Sequence, residues 1–146
     1  PRDYHRVHAP ISGTVTHMRH VYGTLWPVNS IGLDHVPNLF AVNERVAIYQ
    51  ESEDFGQVAS VMVGAMGVGR IGLVFDDILT NVGNEPCART YTDEENTQLD
   101  RGAELGVFYL GSTVVMFIDP QHRVEFSTAP GEHVQMGQAI AMRDGP

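Results

Sequence analysis

No part of this 146-residue chain sustains a helical apolar period; its hydrophobic residues come in short runs cut by turn formers. Six runs, 13–18, 45–50, 57–63, 70–75, 104–109 and 113–118, alternate or stay apolar over spans that suit strands. Fifteen glycines and eight prolines punctuate them. Segment 93–100 is too short and too polar for an amphipathic helix. The pattern predicts a single, mainly β domain over 1–146, with short strands closing on themselves. The polar, acidic stretch 81–102 reads as a long loop excursion whose charges form a solvated face.

Two further segments resemble the halves of a barrel-sandwich hybrid, the architecture of biotinyl and lipoyl domains. Segment 8–15 matches the opening half and segment 130–140 the closing half, with glycine and proline at the turns. The hydrophobic fraction, 42%, and the length allow one domain with a real core. No apolar run approaches a membrane-spanning helix. The net charge of −9 and the absence of a basic stripe argue against nucleic acid. The same charge disfavours electrostatic attachment to an anionic bilayer, so a lipid substrate would need apolar or local Arg contacts. One cysteine, Cys87, excludes an internal disulfide and fits a reducing compartment. Its polar surroundings, 84–88, read as a loop and give it no catalytic role. All nine basic residues are arginine. A chain without lysine cannot hold pyridoxal phosphate as a Schiff base, and cannot carry biotin or lipoate.

The chemistry-bearing segment is Leu110-Gly111-Ser112-Thr113, set between the apolar runs Val107–Leu110 and Val114–Phe117. A hydroxyl behind an unhindered glycine carbonyl can attack it, turning the Gly111–Ser112 peptide bond into an ester. A base that takes the Ser112 α-proton then drives β-elimination, which releases the Gly111 carboxylate and leaves a dehydroalanine. Hydrolysis of that group expels ammonia and leaves a pyruvoyl group at position 112. Such a ketone is an electron sink for decarboxylating an amino acid without pyridoxal phosphate. Candidate bases lie in Tyr4-His5-Arg6-Val7-His8. The His5/His8 spacing would also suit a metal on a helical turn, but no third ligand follows at a suitable spacing, so no metal is expected.

The segments Tyr4–Pro10, Asn38–Val46, Val63–Ala65, Gly102–Gly106 and Leu110–Thr113 occur in the order found in phosphatidylserine decarboxylases, and the chain resembles the catalytic part of that family. The resemblance implies autocatalytic serinolysis at Gly111-Ser112, giving a β chain 1–111 and an α chain 112–146 with a pyruvoyl cofactor. It implies that His8 is the base for self-cleavage and that His5 serves decarboxylation. Phe40, Arg45 and Thr113 are the expected substrate contacts, with Arg45 either bound to Glu44 or another carboxylate or facing a phosphate. Val63–Ala65 and Gly67–Gly69 are expected to pack rather than to bind phosphate. Trp26-Pro27-Val28-Asn29 is a candidate substrate entrance. The implied partners are a phospholipid at a membrane surface and the α and β chains themselves; a homodimer is one expected assembly. The implied location is peripheral, on the cytoplasmic face of a membrane.

The family also carries an upstream Pro-x-Asp-Gly whose aspartate completes an Asp-His-Ser triad. That motif is absent from these 146 residues, and Asp3 does not match it. The expectation is therefore slow self-cleavage of the chain as written. Two alternatives stand beside the lipid decarboxylase: a related pyruvoyl enzyme for a soluble amino acid, and a β domain that keeps the fold without processing.

Overall fold

The computed structural model describes residues 4–143 except positions 84, 96 and 112. The described strands, in chain order, are β1 (Arg6–His8), β2 (Gly13–Val21), β3 (Arg45–Ser52), β4 (Gly56–Val63), β5 (Ile71–Leu73), β6 (Ala88–Thr90), β7 (Gln98–Leu99), β8 (Glu104–Phe108), β9 (Val114–Ile118), β10 (Val124–Phe126) and β11 (Ala141–Arg143). Two short helices, α1 (Ser30–His35) and α2 (Leu39–Val42), lie between β2 and β3. The mainly β expectation holds, and each of the six predicted runs contains a strand.

The strands form an antiparallel six-stranded sheet in the order β6-β2-β3-β4-β9, with β7 also on β2, a three-stranded sheet β1-β8-β5, and the pair β10-β11. The β3–β4 hairpin is the spine. Its register runs unbroken from Arg45↔Val63 to Ser52↔Gly56. The turn closes on Gly56 at φ +60°, a left-handed value that lets a short hairpin loop follow the strand twist.

The two larger sheets face each other across one core. Val15, Met18, Val46, Ile48 and Met62 come from the large sheet, and Ile71, Leu73, Leu105 and Phe108 from the small one. Alternation along β3 and β4 sends these side chains inward. Gly106 is tightly enclosed: a Cβ there would sit 2.7 Å from the Gly72 carbonyl oxygen on the neighbouring strand β5 and 3.1 Å from the sulfur of Met62, which comes from the opposite sheet. This accounts for one glycine of the Gly102–Gly106 motif by packing alone.

The hybrid barrel does not close among the described residues. Segment 8–15 is the crossover between the sheets, since β1 belongs to the small sheet and β2 to the large one. Segment 130–140 makes the expected tight turns, with Gly131 and Gly137 at φ +82° and +85°. It connects β10 to β11 and does not pair with 8–15. Its side chains, including Val134 and Met136, are mostly exposed, so it has no apolar face to bury against the opening segment.

The 81–102 excursion is more ordered than its polarity predicts. It adds β6 and β7 to the edge of β2. Cys87 packs against the core rather than lying in an open loop, and its carbonyl accepts the His20 amide at 2.8 Å. A charged network fastens the excursion to the segment after β5. Arg89 donates to Asp76 at 2.5 Å and to Asp77 at 2.8 Å, and the Tyr91 hydroxyl donates to Asp76 at 2.5 Å. Phe75 meets the Tyr91 ring edge-on. Burial, and then the bonded, charged Asp76, raise the Tyr91 phenol well above its ordinary range.

Two outcomes follow. Gly106→Ala should lower stability in urea unfolding by roughly 1–3 kcal/mol, because the added methyl meets backbone that cannot yield cheaply. An unchanged midpoint would contradict the tight enclosure of Gly106. In a spectrophotometric titration, Tyr91 should keep its proton beyond about pH 10, where a free tyrosine ionises. The folded state then holds a proton that the unfolded state releases, so this contribution is full below that pH and is lost as pH rises further. Tyr91→Phe should remove only that late step; a curve that loses an ordinary tyrosine instead would refute the assignment.

Candidate active site

The main chain leaves the small sheet at Phe108 and enters the large sheet at Val114, so the Gly111–Thr113 segment is a crossover between sheets. Ser112, the expected nucleophile and cleavage residue, lies outside the described residues. Both of its neighbours are fixed. Gly111 has φ +68°, and a Cβ there would lie 2.4 Å from Val68 Cγ2, so two separate constraints require glycine. The Thr113 carbonyl accepts the Val63 amide at 2.9 Å, starting the β4–β9 ladder.

These neighbours line a cleft of about 240 Å³. Pro27, Val28 and Asn29 form one wall; Val63, Ala65, Met66 and Val68 form the other. The described lining residues are mainly apolar, and none of them is charged. The expected entrance 26–29 thus lies beside the predicted cleavage site. The predicted packing segments 63–65 and 67–69 each contribute to the cleft wall.

Asn43 joins the two walls from beneath. It is fully buried. Its Oδ1 accepts the Thr24 hydroxyl and the Trp26 amide, each at 3.0 Å. Its Nδ2 donates to the Trp26 carbonyl at 2.9 Å and to the Gly64 carbonyl at 3.0 Å. All four hydrogen-bonding positions of the carboxamide are filled. The sequence reading placed Asn43 in a signature without giving it a task; nothing in one sequence shows that Trp26 and Gly64 meet at it.

His8 and His5 sit on or beside β1, which runs antiparallel to β8. His8 pairs with Glu104, while the His5 carbonyl accepts the Phe108 amide at 2.9 Å. By register, His5 is at the end of β8 that leads to Gly111, and His8 is at the opposite end. Among the described cleft-lining residues neither histidine occurs. His8 Nδ1 lies 2.7 Å from the Gly102 carbonyl oxygen, which can only accept, so Nδ1 carries the proton. Nε2 then accepts from the Tyr4 hydroxyl at 2.6 Å, and the two rings stack. Both His5 ring nitrogens are buried without a hydrogen-bond partner among the described residues. That is costly for a polar group unless a partner arrives from elsewhere.

The remaining expected contacts lie apart from the cleft lining. Phe40 is on α2 and 39% exposed. Arg45 does not pair with Glu44. Its guanidinium donates to the Ala41 and Asn43 carbonyls at 2.6 and 2.9 Å, closing α2. Glu44 instead meets His20 at 2.8 Å, with both side chains buried. Adjacent residues in extended backbone point to opposite sides, which separates Glu44 from Arg45. His20 is thus a buried structural residue. A second cleft, about 520 Å³, is lined by Phe75, Asp76, Asp77, Arg89 and Tyr91, whose charges are taken up by one another. Among the described residues no three His, Cys, Asp or Glu side chains are placed to hold a metal ion.

Comparison with known proteins agrees with the order of the motifs. The family model described as phosphatidylserine decarboxylase matches residues 1–142. The phosphatidylserine decarboxylase proenzyme of Bordetella petrii is 42% identical, over 97% of this chain and 50% of that protein. The proenzyme of Brevibacillus brevis is 35% identical, over 98% of this chain and 51% of that protein. That of Azotobacter vinelandii is 42% identical, over 96% and 50%. The chain spans about half the length of these curated relatives. It belongs to the phosphatidylserine decarboxylase family.

Proposed function

We propose that this chain is the self-processing, catalytic part of a phosphatidylserine decarboxylase, converting phosphatidylserine to phosphatidylethanolamine with a pyruvoyl group made at position 112. The observation that carries the reading is a cleft lined by Gly111 and Thr113, the two neighbours of the proposed nucleophile; its other described lining residues are mainly apolar. The surroundings suit the group. The Gly111 carbonyl has no side chain of its own to hinder attack, the walls limit water, and the buried His5 nitrogens lie at the same end of β8. A pyruvoyl group at this position would supply the electron sink that decarboxylation of an amino acid needs.

The residues divide the remaining work. The Ser112 hydroxyl attacks the Gly111 carbonyl carbon, and the Gly111 carboxylate leaves on elimination. His8 is the base for this step, its tautomer fixed by Gly102. Tyr4 must leave Nε2 before that nitrogen can take a proton. His5 serves the decarboxylation step by contacting substrate or holding a proton. The apolar walls exclude water from the reacting carbon, and Thr113, tied to Val63, keeps the α-chain terminus in the recess. Trp26, Met66 and Leu110 are exposed around the cleft and offer the apolar contact that a phospholipid surface would need. The attachment we propose is peripheral, at the cytoplasmic face of a membrane; among the described residues no helix is long and apolar enough to cross one.

Ser112→Ala should yield one uncut chain and no turnover; full cleavage with normal turnover would defeat the proposal. Activity should appear with phosphatidylserine vesicles and not with free serine. Turnover of the free amino acid instead would favour the soluble-substrate enzyme. The histidines should also separate. His8→Ala should block cleavage, whereas His5→Ala should permit it and leave a cut protein that turns over poorly. The reverse pattern would exchange the two roles, as the β1–β8 register by itself would suggest.

A further inference from the structure

We infer that Asn43 is a positioning residue for substrate: its carboxamide sets the distance between the two walls of the cleft and thereby shapes the seat of the reacting head group. The inference rests on the functional reading above. Its own evidence is geometric. The wall residues 27–29 lie between β2 and α1, in neither a strand nor a helix. Asn43 holds that stretch at Trp26 by both backbone polar groups, amide and carbonyl. The same carboxamide holds Gly64, which lies between the opposite wall residues Val63 and Ala65. One planar group therefore fixes both sides, while Val63 fixes Thr113. The carboxamide does not itself line the cleft, so it acts through the walls.

The wall has a second support, independent of Asn43. Gly32 lies against the Pro27 carbonyl, where a Cβ would be 1.9 Å from the oxygen. Gly32→Ala must push Pro27 away without touching the carboxamide. Two substitutions on different elements can thus displace one wall.

The chemistry separates positioning from mere stability. Self-cleavage is intramolecular and needs no substrate seat, whereas decarboxylation needs both walls. In the full protein, Asn43→Ala should raise KM for phosphatidylserine in phosphatidylcholine vesicles by roughly ten-fold, while the cleavage rate stays within about two-fold. Gly32→Ala should move the same two quantities in the same direction. Trp26 is the only tryptophan among these 146 residues; its emission, isolated as the part lost on Trp26→Phe, reports the wall, and its quenching by acrylamide should increase in both variants. Cleavage and turnover falling in parallel, or KM unchanged in both variants, would overturn the inference.

If Asn43→Ala does not fold, Gly32→Ala and amide exchange in the unmodified protein decide. The Trp26 amide should be protected although its side chain is half exposed; exchange at the rate of open peptide would overturn the clamp. If the unmodified protein neither cleaves nor turns over lipid, the functional reading fails. Quenching and amide exchange then still test the clamp separately.

Discussion

The structure depends on one crossing of the chain from sheet to sheet. β8 is the central strand of the small sheet, between β1 and β5, and β9 is the edge strand of the large sheet, on β4. The residues between them must span the two layers, which forces glycine at 111 and ties Thr113 to Val63. A cut in a crossover is tolerable where a cut in a strand is not, because each flanking strand keeps its own ladder. β9 retains five paired positions on β4, from Val58↔Ile118 to Met62↔Val114. A pair of processed chains would therefore stay together through backbone pairing; side-chain burial contributes less, since Val114 and Phe117 are largely exposed.

Short-range pattern was enough to place strands. β3, β4, β8 and β9 are apolar or alternating over their whole length, and such runs can be buried only as sheet. What one sequence could not show was partnership. Segment 130–140 has turn glycines like those of a hybrid barrel, yet its exposed side chains leave nothing to drive docking on 8–15. Ala88–Thr90 is too polar to predict as a strand, and it pairs because the β2 edge is open beside it. The site divides in the same way. Gly111 and the segment 26–29 were picked out from local residue types, and the structure sets Gly111 and residues 27–29 on one cleft. Asn43, Met66 and Val68 were not picked out, because their roles arise from contacts between distant segments. Arg45 was misdirected by adjacency: its sequence neighbour Glu44 is on the other side of the strand.

His8 shows how local structure can set the tautomer of a histidine. A triad acid sets the tautomer of its histidine and also stabilises the imidazolium that forms. The Gly102 carbonyl performs the first task, since it obliges Nδ1 to carry the proton. It brings no negative charge and so does little for the second. The same histidine has its basic nitrogen covered by Tyr4. His5 presents the opposite condition, with two buried nitrogens and no partner among the described residues. Among the described residues, one histidine thus has both ring nitrogens bonded and the other has neither.

The central claim is that the chain converts its own residue 112 into the reacting group. The most direct measurement is an intact-mass spectrum of the denatured full protein after it has been shown to decarboxylate. The account predicts a break between Gly111 and Ser112, with the C-terminal piece lighter by one ammonia than a chain starting with serine. An active protein with no break there, or with an unmodified serine at the new terminus, would contradict it.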